Sequence, residues 1–353
     1  MNRTSIVRTV SALFAVAAIT AAPEGAFALE FSFIVGGVTM VRDGKSSSAA
    51  LGGRLADGDT VITAAGGLAV LSYGDGSEIR VMEKSRIRIG SVTVKDSGSV
   101  SVISGAVNAR FQKLARGSER KVVTPTTVCS VRGTDFLVGV SDGADSRVEM
   151  KEGTIELRNP YGRADLGPSA RARIGLSEPP AEDGEDIDLA AWKAARDEEM
   201  ERDAEGRARK FEGYMGTMGE RSAKSSARLG NIDSRLSGSG PMGRKEMEKA
   251  GEELSVVQRD MEDDALLNES AAASIDGILE RYGREKADIY DSFHRIKEES
   301  NRVAEQQRRN CEALREVREA YRKAYEEIMG RHRESMEKIK GGFDKESTKP
   351  PKK

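Results

Sequence analysis

The sequence predicts an all-β N-terminal domain, β-solenoid or sandwich-like, followed by long α-helices with coiled-coil character. Three observations carry this. From Phe31 to about Gly175, short apolar runs separated by glycine turns recur about every 8–12 residues. Beyond Gly175 the composition shifts from Gly, Val, Ser and Thr to Glu, Lys, Arg and Ala. From Lys245 to about Lys340 there is no proline, glycines are sparse, and apolar residues recur at heptad spacing.

The β signals are local. Gly36-Gly37 turns Phe31–Val35 into Val38–Val41, and Asp43-Gly44 turns it again. Ile79-Arg80-Val81, Ile87-Arg88-Ile89, Val92-Thr93-Val94 and Val100-Ser101-Val102 alternate as half-buried strands do. Further strands are expected at Val107–Phe111, Lys121–Thr124, Phe136–Val140, Arg147–Met150 and Thr154–Leu157. No helix-length amphipathic segment interrupts them, which argues against a βαβ nucleotide-binding fold.

The first 28 residues read as a secretory signal: Arg3 and Arg8, an apolar stretch from Val10 to Ala22, then Ala26-Phe27-Ala28 before Leu29. The apolar stretch, about 13 residues, falls short of the ~20 that a spanning helix needs. The expected organisation is a signal peptide at 1–28, a β domain at 29–175 and an acidic, Pro-containing linker at 176–188. A helical segment at 189–236 follows, with Asp188 as N-cap, then a Gly/Ser/Pro break at 237–244. A long charged helix or helical hairpin at 245–340 and a disordered tail at 341–353 complete the chain. The location implied is the periplasm, cell surface or exterior of a bacterium, with no membrane span after cleavage.

The helix seam comprises Ile275, Leu279, Tyr282, Ile289, Phe293, Ile296, Leu314, Val317, Tyr321 and Ile328. Read as one continuous stripe, it needs a partner helix, in the same chain or in a second copy. In a parallel dimer Gln307 and Asn310 would fix register and two Cys311 residues could approach each other.

Chemistry is sparse. Acidic and basic residues nearly cancel (net charge −2) and are interspersed, so the basic stripe that nucleic-acid binding needs is missing. The two histidines, His294 and His332, lie in the charged helical part and read as solvated. No Walker or dinucleotide loop appears, and Cys129 reads as a small buried side chain. The sequence thus offers no catalytic, cofactor-binding or metal-ligating residues, and the protein reads as no enzyme.

Four stretches give the β half a resemblance to a known family. They are Leu55-Ala56-Asp57-Gly58-Asp59-Thr60-Val61-Ile62-Thr63, the hairpin Asp75-Gly76-Ser77-Glu78-Ile79-Arg80-Val81, Val122–Thr126 leading into Val131-Arg132-Gly133-Thr134-Asp135-Phe136, and Val148–Ile155 with its Glu152-Gly153. In this order and spacing they resemble the FecR domain, the periplasmic domain of iron-dicitrate signalling regulators, over about Val38 to Tyr161. The resemblance implies a twisted, solenoid-like unit without catalysis. Its motif residues are Gly58, Asp59, Asp75, Gly76, Ser77, Thr124, Pro125, Arg132, Gly133, Thr134, Glu152 and Gly153. Asp-Gly pairs favour tight turns, and Pro125 forces Thr124 into an extended shape. Arg132, between apolar strands, is expected to satisfy backbone carbonyls or a turn carboxylate such as Asp59. The full regulators carry an anti-sigma segment and a membrane helix ahead of this domain; here a signal peptide is expected, so the sigma-regulating role does not carry over.

The implied function is an exported, non-enzymatic interaction or scaffolding module of the cell envelope, whose partner is an envelope protein or glycan and whose helices pair or space. The alternative is a periplasmic sensor that binds a small ligand or glycan and relays a signal. The signal reading predicts that protein recovered from the envelope begins at Leu29; N-terminal sequencing that finds Met1 in the membrane fraction contradicts it.

Overall fold

The computed structural model describes residues 29–94, 97–113, 119–131, 133–185, 187–238, 242–283 and 286–347, with side chains apart from those of 91–94, 97, 332, 335 and 338–347. Residues 1–28, where a signal peptide is expected, Arg132 and the terminal 348–353 lie outside the described residues.

The alternating segments form two facing layers. The first runs, in hydrogen-bonded order, β4 (Arg54–Leu55), β1 (Leu29–Val35), β6 (Leu68–Ser72), β7 (Glu78–Val81), the C-terminal half of β9 (Ser97–Arg110), β12 (Asp135–Val140), β13 (Ser146–Glu152), β16 (Arg171–Ile174) and β17 (Ala181–Glu182). The second runs β3 (Lys45–Ser48), β2 (Val38–Arg42), β5 (Thr60–Thr63), β8 (Arg86–Val94), the N-terminal half of β9, β10 (Glu119–Val123), β11 (Val128–Val131), β14 (Ile155–Asn159) and β15 (Gly162–Leu166). All pairings are antiparallel except β9 with β10. The chain makes a hairpin in one layer, crosses to the other and makes the next, so each layer grows largely in chain order. This is a sandwich with solenoid-like winding, as the strand spacing implied.

The strand β9 joins the layers, and it bends at Gly105 (φ +89°). A Cβ there would lie 2.5 Å from the Ser85 Cα, so only glycine fits the corner. Ser85 Oγ accepts from the Ala106 N–H at 2.9 Å and pins the bend. The inward positions fill one apolar core, including Phe31, Leu71, Ile79, Ile87, Val102, Phe136, Val148 and Leu157, all essentially inaccessible. Cys129 sits in this core as an unpaired thiol, and burial pushes its pKa up to about 12.

Four helices follow: α1 (Leu189–Arg202), α2 (Ala204–Leu236), α3 (Arg244–Tyr282) and α4 (Ala287–Ser347). Asp188 caps α1, accepting the Ala191 N–H at 2.9 Å. Asp203 ends α1 through its own N–H and starts α2 by accepting the Gly206 N–H at 2.8 Å, so the expected single helix is two. α2 and α4 run alongside each other in the same direction, and α3 runs antiparallel to both.

Several expectations change. The seam is not one stripe: α3 ends at Gly283 (φ +54°), and Ile275, Leu279 and Tyr282 lie on one helix while Ile289, Phe293 and Ile296 lie on the next. They share an apolar cluster with Phe211, Tyr214, Met215 and Met218 of α2. A second cluster joins Leu229 and Ile232 of α2, Leu254, Val257 and Met261 of α3, and Leu314, Val317 and Tyr321 of α4. Ile328 lies beyond it, partly buried. The seam therefore pairs within the chain. Between the clusters lies a polar layer: Asn310 Nδ2 donates to Ser222 O (2.7 Å) and Oγ (3.1 Å), and Asn268 exchanges bonds with Ser300 and reaches Gln307 Oε1 at 3.3 Å. Gln307 and Asn310 thus fix register between helices of one chain, and Cys311 is exposed. The expected linker packs rather than tethers: β17 pairs with β16, and Leu176 and Asp183 are buried. The tail is helical as far as Ser347.

Phe211 packs edge-on against Phe293, ring centroids 5.7 Å apart, where α2 meets α4. Phe211→Ala is expected to lower stability by about 3–5 kcal/mol, read from urea unfolding of the helical signal.

Candidate interaction site

The outer face of the second layer carries one residue per strand in register: Arg88, Ser101, Val123, Val128 and Arg158. The next row holds Ser99, Lys121, Ser130 and Glu156. In the first row small and apolar residues lie in the middle and cations at the ends, while the second sets Lys121 among serines with Glu156 at its edge. This face docks α3. Val123 and Val128 join the cluster that contains Leu267, Ala271 and Ile275 of α3. Serines on both sides, Ser99, Ser101 and Ser130 on the sheet and Ser270 and Ser274 on the helix, are buried, and their small size lets helix and sheet approach closely.

Asp263 of α3 holds this contact. Its carboxylate takes Lys121 Nζ at 2.7 Å and Arg158 Nη2 at 2.7 Å, with Asp263 itself almost inaccessible. Removing one member of a buried pair leaves the others uncompensated, a loss of ~3–5 kcal/mol. Arg88–Glu269 (3.1 Å) and Arg86–Glu280 (2.9 Å) continue the pairing toward the hairpin, but they are exposed and contribute little.

Beside Asp263 lies a cavity of about 360 Å³ lined by Arg158, Tyr161, Arg163, Arg221, Asp260 and Asp264. Arg221 Nε donates to both oxygens of Asp264, at 2.9 and 3.0 Å. Burial pushes the Asp264 pKa up to about 6, helped by Asp260 and Asp263 and opposed by Arg221. Burial also holds the Tyr214 hydroxyl well above its usual range. A second anchor is the β12–β13 turn, where Asp142 accepts from Lys193 of α1 and Arg281 of α3, and Asp145 takes both terminal nitrogens of Arg207 in α2.

The motif residues stand elsewhere, in turns. Gly58 (φ +89°) precedes Asp59, which is buried and accepts from Arg42 Nε at 2.8 Å and the Ala56 N–H at 2.7 Å. Burial works against the Asp59 charge, and the bonds from Arg42 and Ala56 hold its pKa below the usual range. Asp59 is therefore the partner of Arg42; Arg132, for which it was an expected acceptor, lies outside the described residues. Asp75 accepts the Ser77 N–H and pairs with Arg120 at 2.8 Å; the Arg120 guanidinium lies 4.0 Å from the Tyr73 ring centroid. Gly76 (φ +82°) makes that turn, and Ser77 Oγ accepts from Gln112. Thr124 Oγ1 accepts the Thr126 and Thr127 N–H groups around buried Pro125, and Ser146 ties this turn to β13. Gly133 and Gly153 stack: a Cβ on Gly153 would lie 2.7 Å from the Gly133 carbonyl and 2.8 Å from Thr134. Glu152 is exposed. These residues lock separate turns and do not form one cleft. The sequence reading missed Arg147, fully buried against Glu149 and Asp183, and Asp263, whose partners lie more than a hundred residues away. His294 is exposed beside Glu298. No group of His, Cys, Asp or Glu among the described residues could hold a metal ion, and no described helix is long and apolar enough to cross a membrane.

Residues 59–156 match the FecR protein family model, within the stretch from Val38 to Tyr161 that resembles the FecR domain. No curated protein matches the chain. Two crystal structures of a candidate anti-sigma factor from Parabacteroides distasonis ATCC 8503, at 1.65 and 2.50 Å resolution, match at 18% identity and TM-score 0.33, covering 38% of this chain. This chain spans 63% of the length of those proteins.

The Asp264 pKa lies above its ordinary 3.8, so the folded state holds an extra proton between that value and about 6. Stability carried by Asp264 therefore rises as pH falls through this window and is lost as pH rises through about 6. Asp264→Asn is expected to remove that component from urea-unfolding free energies measured across the window; an unchanged slope contradicts it.

Proposed function

We propose that this chain is an exported, non-enzymatic interaction module of the bacterial envelope, in which the FecR-like sandwich recognises a partner and the helices form a spacing arm. The observation that carries the reading is the fastening of the arm: Asp263, Val123 and Val128 seat α3 on the sheet, while Asp142 and Asp145 collect α1, α2 and α3. A helix of 61 residues is about 92 Å long at 1.5 Å per residue, so α4 reaches well away from the sandwich. The FecR match supports a regulator of signalling as the broad class. The expected secretory signal supports a periplasmic or surface location.

The cavity between Arg158, Tyr161, Arg221 and Asp260 favours a second reading, a sensor that takes a small polar ligand or glycan where sheet meets helices. Affinity capture from bacterial envelopes separates the two. The module reading expects a protein retained by the full chain and lost or rearranged with Asp263→Lys, which opposes Lys121 and Arg158 with a like charge. Retention of a glycan or metabolite with no protein contradicts it and supports the sensor.

A further inference from the structure

We propose that the projecting end of α4 pairs antiparallel with the same segment of a second copy of this chain. α3 begins at Arg244, and Tyr321 packs over Gly251, about two turns into that helix. With Tyr321 level with Gly251, Arg244 lies level with about residue 328, so the 19 residues from Met329 to Ser347, about 28 Å of helix, extend past the start of α3. Tyr325 (41%), Met329 (38%) and Met336 (46%) are among the exposed large apolar side chains.

The sequence sets these on a stripe. Residues 325, 329, 332, 336, 339 and 343 follow one another at alternating steps of four and three, with identities Tyr, Met, His, Met, Ile and Phe. The stripe begins at Tyr325, which stacks with Tyr321 of the bundle (centroids 6.1 Å apart), so it continues the apolar packing that α3 and α4 already share. Gly330, Gly341 and Gly342 weaken this stretch as an isolated helix, which makes a partner face the natural source of its stability.

The stripe is self-complementary when reversed. With two copies antiparallel about position 334, residue 325 meets 343, 329 meets 339 and 332 meets 336, each pair summing to 668. The flanking register position beside 325 is Glu326 and that beside 339 is Lys340; antiparallel packing opposes them twice by symmetry. Arg333 falls near its own copy at the axis, with Glu337 one turn away on each helix to offset it. A parallel pair would set His332 against its own copy and leave Glu326 without Lys340. Ser347 of the second copy falls level with Tyr321, at the groove of about 860 Å³ between α3 and α4 lined by Gly251, Leu254 and Tyr325. This pairing does not depend on where the protein acts.

The test is sedimentation of the full chain. The expected mass is twice that of one chain, falling to the single-chain mass in M329E/M336E and in a chain ending at Gly330, with unchanged melting of the remaining fold. In the antiparallel register the two Cys311 residues lie 46 positions apart, about 69 Å along the helices, so oxidant gives no Cys311 crosslink. Mixing E326C and K340C chains in a C311S background is expected to give a disulfide-linked heterodimer. A monomeric full chain, a dimer that survives both changes, or a Cys311 disulfide overturns the proposal.

Discussion

The contact on which the rest depends is Asp263 between Lys121 and Arg158. It joins a sandwich built from local hairpins to a bundle built from helices far along the chain. Neither part alone covers Val123 and Val128, which belong to the helical cluster although they are strand residues. The ion pairs orient the contact and the valines supply its apolar burial. A charged group as inaccessible as Asp263 is tolerated only because both cations reach it within hydrogen-bonding distance.

This arrangement explains why the composition changes so sharply along the chain. The sandwich closes its own core and leaves its second outer face with small and cationic residues. The helices carry the matching carboxylates, Asp263, Glu269 and Glu280, on α3 alone. The polar layer of Ser222, Asn268, Ser300 and Asn310 does for the bundle what Asp263 does for the docking, setting one register among helices whose apolar positions would allow several.

Much of the β architecture could be read from the sequence because its signals are local. Alternation around Ile79 and Ile87 and glycines such as Gly58 and Gly76 act within a few residues. The helical part was harder. A heptad pattern that runs through Ile275, Tyr282, Ile289 and Ile296 reads the same whether the helix is continuous or folded, and one glycine at 283 decides which. Prolines and acids signal a loop at 176–188, whereas Leu176 is buried and Asp183 pairs with Arg147 of β13, a partner distant in sequence. Asp263 could not be singled out at all: it is one of many carboxylates on a charged helix until the sheet brings Lys121 and Arg158 to it.

Hydrogen exchange on the full chain tests the docking most directly. The account predicts that amides of β10 and β11 and of α3 around Asp263 share a common opening free energy, and that Asp263→Ala lowers protection in both together while the β6–β7 hairpin is unaffected. Strands and helix that exchange independently in the wild-type chain, or protection unchanged by the substitution, would contradict it.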